Sequence, residues 1–88
     1  MYKVEIKILF PDLHKDLSKV VDIARVPVKG DMIRISADES TTSVPAVDSV
    51  TLELNPENDQ PVALVEVSNQ GPFSQSFYDK LTMVGWKK

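Results

Sequence analysis

The sequence predicts a mainly β domain: a strongly bent antiparallel sheet of five strands, or a small barrel, closed by a short C-terminal helix. Three observations predict it. Tyr2, Val4, Ile6, Ile8 and Phe10 recur at period two, with Lys3, Glu5 and Lys7 between them, the alternation of a strand with one buried face. Val62-Ala63-Leu64-Val65-Glu66-Val67 is almost continuously apolar, as expected of the most buried strand of a sheet. Only after Gly71-Pro72 does the period change, when Phe73, Phe77, Leu81 and Val84 recur at helical spacing.

The remaining elements follow in chain order. The first strand spans about 2–10 and ends at Pro11. Residues 12–18 are polar and read as a loop or single turn. Residues 19–26 are rich in β-branched side chains and stand before Pro27, which pushes its predecessor towards extended backbone. They read as the second strand. The alternative is a helix over 12–25, because Leu13, Leu17, Val20, Val21 and Ala24 also fit helical spacing, and the class would then be α+β. Pro27-Val28-Lys29-Gly30-Asp31 is a turn: proline sets φ, glycine accepts positive φ, and the aspartate accepts from nearby N–H groups. A third strand is expected at 31–36, a polar loop at 37–43 and a fourth strand at 44–55 with Val50, Leu52 and Leu54 inward. The inward set does not run back cleanly to Val44 and Val47, which predicts a bulge near Asp48. A turn through Asn55–Pro61 leads to the fifth strand at about 61–68, the most buried of the set. The helix is expected at about 74–84, with Ser76 and Asp79 as a capping box, Gly85 at its C-terminal end and Trp86 following.

Eighty-eight residues, 42% hydrophobic and 26% charged, describe one globular domain over 1–88 with a thin core. There is no cysteine, so no disulfide or thiolate metal site, and the alternating N-terminus is neither a secretory signal nor a membrane span. A cytoplasmic, membrane-free protein is expected. The net charge of −3 conceals segregation. Residues 37–73 hold Asp38, Glu39, Asp48, Glu53, Glu57, Asp59 and Glu66 and no Lys or Arg, whereas the flanking segments are each net basic. Such halves either pair across a sheet or leave an acidic surface for a cationic partner.

The reactive side chains do not assemble into a motif. His14 is the only histidine, which removes His-based metal sites and Ser-His pairs. Asp38-Glu39 and Glu57-x-Asp59 lack the ligand order and turn glycine of a calcium loop. Glu66 is the single carboxylate in an apolar strand, and a rim position accounts for it as well as acid–base chemistry does. No cofactor, metal or catalytic residue is expected, and the chain is not read as an enzyme.

Arg25-Val26-Pro27-Val28-Lys29-Gly30-Asp31-Met32-Ile33, followed by Val47-x-x-Val50, resembles a pattern in short uncharacterised bacterial and phage-associated proteins. That resemblance covers about a quarter of the chain and implies a small SH3-like barrel; it implies no activity and transfers no functional residue.

These readings point to a non-catalytic interaction or assembly module whose partner is another protein or a second copy, as in a homodimer. A thin core and uncovered sheet edges motivate it. Trp86 is a candidate anchor as well as a packing residue. The alternative is a nucleic-acid-binding barrel using Lys3, Lys7, Arg25, Lys29 and Arg34, which the acidic middle third opposes. A small hydrolase or metal-dependent enzyme ranks last.

Overall fold

The computed structural model describes residues 1–71 and 73–88. Its chain forms two hairpins laid side by side. In the first, β1 (Tyr2–Phe10) and β2 (Lys15–Ile23) are antiparallel over nine residues, from Tyr2 opposite Ile23 to Phe10 opposite Lys15. A 3-10 turn at Pro11–Leu13 and a left-handed His14 (φ 53°) reverse the chain between them. In the second, β5 (Val47–Leu52) and β6 (Ala63–Ser68) are antiparallel. The hairpins join through a parallel pairing of β1 with β6, Val4 opposite Ala63 and Ile8 opposite Val67, which gives the order β2-β1-β6-β5. A second, two-stranded sheet is made by β3 (Ile35–Ser36) and β4 (Thr42–Ser43). The chain ends in α1 (Ser74–Met83).

The fold is therefore mainly β with a short C-terminal helix. The expected curved sheet takes its open form, with four strands rather than five and mixed rather than wholly antiparallel. Residues 12–25 hold no α-helix: after the 3-10 turn at Pro11–Leu13 the chain forms β2. The second strand starts at Lys15, four residues before its expected start, because the tight turn at 11–14 restores pairing at once. Its polar stretch Lys15-Asp16-Leu17-Ser18-Lys19 hid it: on an edge strand only Leu17 is fully buried, and charges blunt the rest.

Between the hairpins the chain crosses from β2 to β5. Here the turn expected at Pro27–Asp31 forms. Asp31 Oδ2 accepts the Val28 N–H and an Arg25 Nη1 hydrogen, each at 3.0 Å, and Gly30 takes φ 94°. Of the strand expected at 31–36, only Ile35–Ser36 pairs regularly. Met32 makes an isolated bridge to Ala46. The loop expected at 37–43 holds β4 at its end, and Asp38 accepts the Ser40 N–H at 2.9 Å to close the bend. The fourth expected strand contracts from 44–55 to 47–52, with its bulge between Val47 and Ser49 as predicted.

One face of the sheet carries the core. Val4, Ile6, Ile8 and Phe10 of β1, Leu17 of β2, Val47 of β5 and Ala63, Val65 and Val67 of β6 meet Ile35, Ala37, Phe77, Tyr78, Leu81 and Trp86. Phe10 lies at the centre of the aromatic contacts, with ring centroids 6.2 Å from Phe77 and 5.4 Å from Tyr78, the latter edge-on. Lys15 closes the rim, its ammonium 5.1 Å from the Tyr78 ring. The opposite face, with Lys3, Glu5, Lys7, Leu64 and Glu66 half-buried, carries no helix or second sheet among the described residues.

The helix starts as expected, but without the capping box. Its first turn is held instead by Ser74 Oγ donating to the Gly71 carbonyl at 2.8 Å. Asp79 accepts from Gln75 Nε2 one turn earlier. Pro72, expected to break the sheet pattern together with Gly71, lies outside the described residues. Gly85 (φ 104°) turns the chain out of the helix, the Trp86 N–H returns to the Leu81 carbonyl, and Lys87 bridges to Ser18 on the outer edge of β2.

Two outcomes test this packing. Phe10→Ala leaves a cavity under the helix and is expected to cost about 3–5 kcal/mol in urea unfolding. Leu54→Ala, at a side chain 84% exposed, is expected to change stability by about 0.5 kcal/mol or less. Equal losses at the two positions would contradict the burial described here.

Candidate functional site

The outer edge of β5 leaves its hydrogen bonding unfinished. The Glu53 N–H donates to the Val62 carbonyl at 2.8 Å, so by antiparallel alternation Thr51 and Ser49 also turn their main-chain groups towards β6. Val50 and Leu52 turn theirs away from the sheet, where no described residue meets them. The edge is covered only at its start. There the Val47 N–H donates to the Asp31 carbonyl at 2.7 Å, and the Gly30 N–H donates to the Val47 carbonyl at 3.0 Å.

The side chains along this edge are apolar and exposed. Leu52, read from the sequence as inward, is 61% exposed, Leu54 is 84% exposed and Val28 is 58% exposed. Their alternation is as predicted, but on the outermost strand the core has run out before reaching them. Val26, Pro27, Val28 and Lys29 stand across from Asp48, Ser49, Val50 and Leu52 and enclose an open groove of about 600 Å³. The Pro27–Asp31 turn builds the far wall of that groove.

The other sheet edge differs. On β2 the outward main chain of Ser18 is bonded both ways to Lys87, at 2.7 and 2.9 Å, and Asp16 and Asp22 stand beside it.

The candidate cations do not form one surface. Lys3 is 3.4 Å from Asp59 and Lys7 is 3.7 Å from Asp16 on the open sheet face, and Arg25 is 3.0 Å from Asp31 in the crossing segment. Lys29 and Arg34 have no acid within 4.0 Å among the described residues, and Lys29 lines the β5 groove. The charge segregation is thus partly resolved by pairing across the fold, through Lys3–Asp59 and Lys80–Asp38. Trp86 is 9% exposed and packs in the core. His14 occupies the reversing turn, Glu66 faces Lys7 across the β1–β6 pair, and Glu57 and Asp59 lie in the exposed turn before β6.

A second hollow, about 460 Å³, lies between β4 and the start of α1. It is rich in hydroxyl and amide groups, which largely satisfy one another: Ser43 Oγ donates to Asn69 Oδ1 at 2.9 Å, and Lys80 Nζ donates to Thr41 Oγ1 at 2.8 Å. Asp38, beside it, titrates at about 2, held down by hydrogen bonds from Thr41 and Ser40 and by Lys80. Asp31 is also lowered, first by the Val28 N–H and then by Arg25. Sequence reading missed this hollow, since its residues come from three separate stretches of ordinary loop composition.

No protein-family model, curated protein or solved structure matches the chain. Among the described residues no helix is long and apolar enough to cross a membrane.

The lowered Asp38 makes a signed prediction. A carboxylate whose folded pKa is depressed adds stability above its ordinary value of 3.8, and that stability is lost as pH falls towards about 2. The melting-temperature gap between wild type and Asp38→Asn should therefore be full at about pH 6 and close below pH 3.8. A gap unchanged down to about pH 2 would show that Asp38 acts otherwise.

Proposed function

We propose that this chain is a non-catalytic interaction module that accepts an additional β-strand along the outer edge of β5. The observation that carries this reading is the coincidence, on one strand, of outward main-chain groups at Val50 and Leu52 with an apolar groove lined by Val26, Pro27 and Val28. Strand addition uses both kinds of contact: the main chain supplies affinity and alternate side-chain pockets supply selectivity. Natural edges are ordinarily blunted by charge, proline or a covering segment. The β2 edge has such protection in Lys87, Asp16 and Asp22, whereas the β5 edge has a covering segment only at Val47 and charge only at its two ends, Asp48 and Glu53. A cytoplasmic setting, which suits a cysteine-free chain, belongs to the same proposal.

Panning a displayed library of random peptides against the protein tests the reading. Recovered peptides should be extended, with apolar residues at alternate positions. They should slow amide exchange at Val50 and Leu52, and they should fail to bind Leu52→Lys, a surface change expected to shift stability by about 0.5 kcal/mol or less. Peptides that bind Leu52→Lys as well as wild type, or that leave both amides exchanging freely, would refute it.

A further inference from the structure

We infer that the strand added to β5 is β5 of a second copy, in a two-fold dimer centred on Thr51. This rests on the reading of the β5 edge as the contact surface and names its occupant.

The length of free edge sets the register. Towards the N-terminus, pairing must stop before Val47, whose outward N–H and C=O are already taken by Asp31 and Gly30. Towards the C-terminus it must stop before Leu54–Asn55, where the chain bends and the Asn55 N–H folds back onto the Glu53 carboxylate at 3.2 Å. Asp48 is the bulged residue next to Val47, so the usable window is Ser49–Glu53, and Thr51 is its middle. A two-fold axis there sets antiparallel strands against each other, with Val50 of each copy opposite Leu52 of the other. Those are the residues whose main-chain groups point outward, so each N–H meets a carbonyl. The contact is isologous: one surface, used twice, closes on itself.

The side chains agree with this register. Val50 and Leu52 lie on the core side of the sheet, so the four from two copies extend its apolar layer across the axis, between the two groove walls. Thr51 faces Thr51, a favourable cross-strand pair. Glu53, which has no cation within 4.0 Å among the described residues, comes opposite Ser49 of the other copy. Ser49 lines the groove together with Asp48 and with Lys29, a cation that has no acid within 4.0 Å among the described residues. Each of the two axis-related sites therefore brings Glu53, a carboxylate without a cation, to the groove that holds Lys29 and Asp48, and in this register no acid stands directly opposite an acid.

Sedimentation equilibrium from about 1 µM to about 1 mM reads the outcome. Wild type should move from 9.8 kDa towards twice that mass as concentration rises, with slowed amide exchange at Val50 and Leu52 in the heavier species. Leu52→Lys should remain monomeric with an unchanged circular dichroism spectrum. Lys29→Glu and Glu53→Lys should each weaken the dimer about tenfold, and the double swap should restore it. A dimer that survives Leu52→Lys, or a double swap no better than either single change, would overturn the inference. A wild type that stays monomeric throughout would overturn it too. If displayed peptides still protect Val50 and Leu52 in that monomer, the edge is a contact surface for a different chain; if they do not, the underlying reading fails with it.

Discussion

The parallel pairing of β1 with β6 is the constraint on which the rest of the molecule depends. Each hairpin alone is a two-stranded ribbon with one apolar face, marginal in water. Pairing their inner strands places Val4, Ile6 and Ile8 beside Ala63, Val65 and Val67 and makes an apolar surface broad enough to need a cover. The helix, Trp86 and the β3–β4 hairpin supply that cover, with Phe10 against Phe77 and Tyr78 as its tightest part. Because the chain must travel from one outer strand to the other before the second hairpin can form, residues 24–46 pass along the structure. Their Pro27–Asp31 turn comes to rest beside β5.

Most of this architecture was legible where burial is one-sided and complete. The period-two pattern of β1, the apolar run of β6 and the helical spacing of Phe77 and Leu81 each report a local environment that the fold supplies. The direction of β1 relative to β6 was not legible, because a parallel and an antiparallel neighbour bury the same side chains. β2 was obscured because an edge strand with one buried leucine has almost no period. The helix start illustrates a smaller failure: Ser76 and Asp79 have capping-box spacing, but Ser74, two residues earlier, makes the bond to Gly71.

The candidate site was legible in its ingredients and not in its assembly. The Pro-x-x-Gly-Asp turn, the bulge near Asp48 and the alternation of Val50, Leu52 and Leu54 could all be read in advance. What could not be read is that β5 is outermost, which converts two of those three side chains from core into surface. The same positional fact separates Lys29 from Lys3 and Lys7. Cations that look like one group along the chain have different neighbours in space, and Lys3, Lys7 and Arg25 each find a carboxylate.

The Lys87–Ser18 bridge makes the two rims of the sheet unequal. A ribbon with two adhesive rims can grow indefinitely, each molecule offering its far side to the next, and cross-β fibres grow by this route. Here one rim is stapled at Ser18 by the chain's own tail and flanked by Asp16 and Asp22, so a head-to-tail stack meets a charged and partly occupied edge. Two short main-chain bonds at a single serine thus bias this molecule towards finite complexes over filaments.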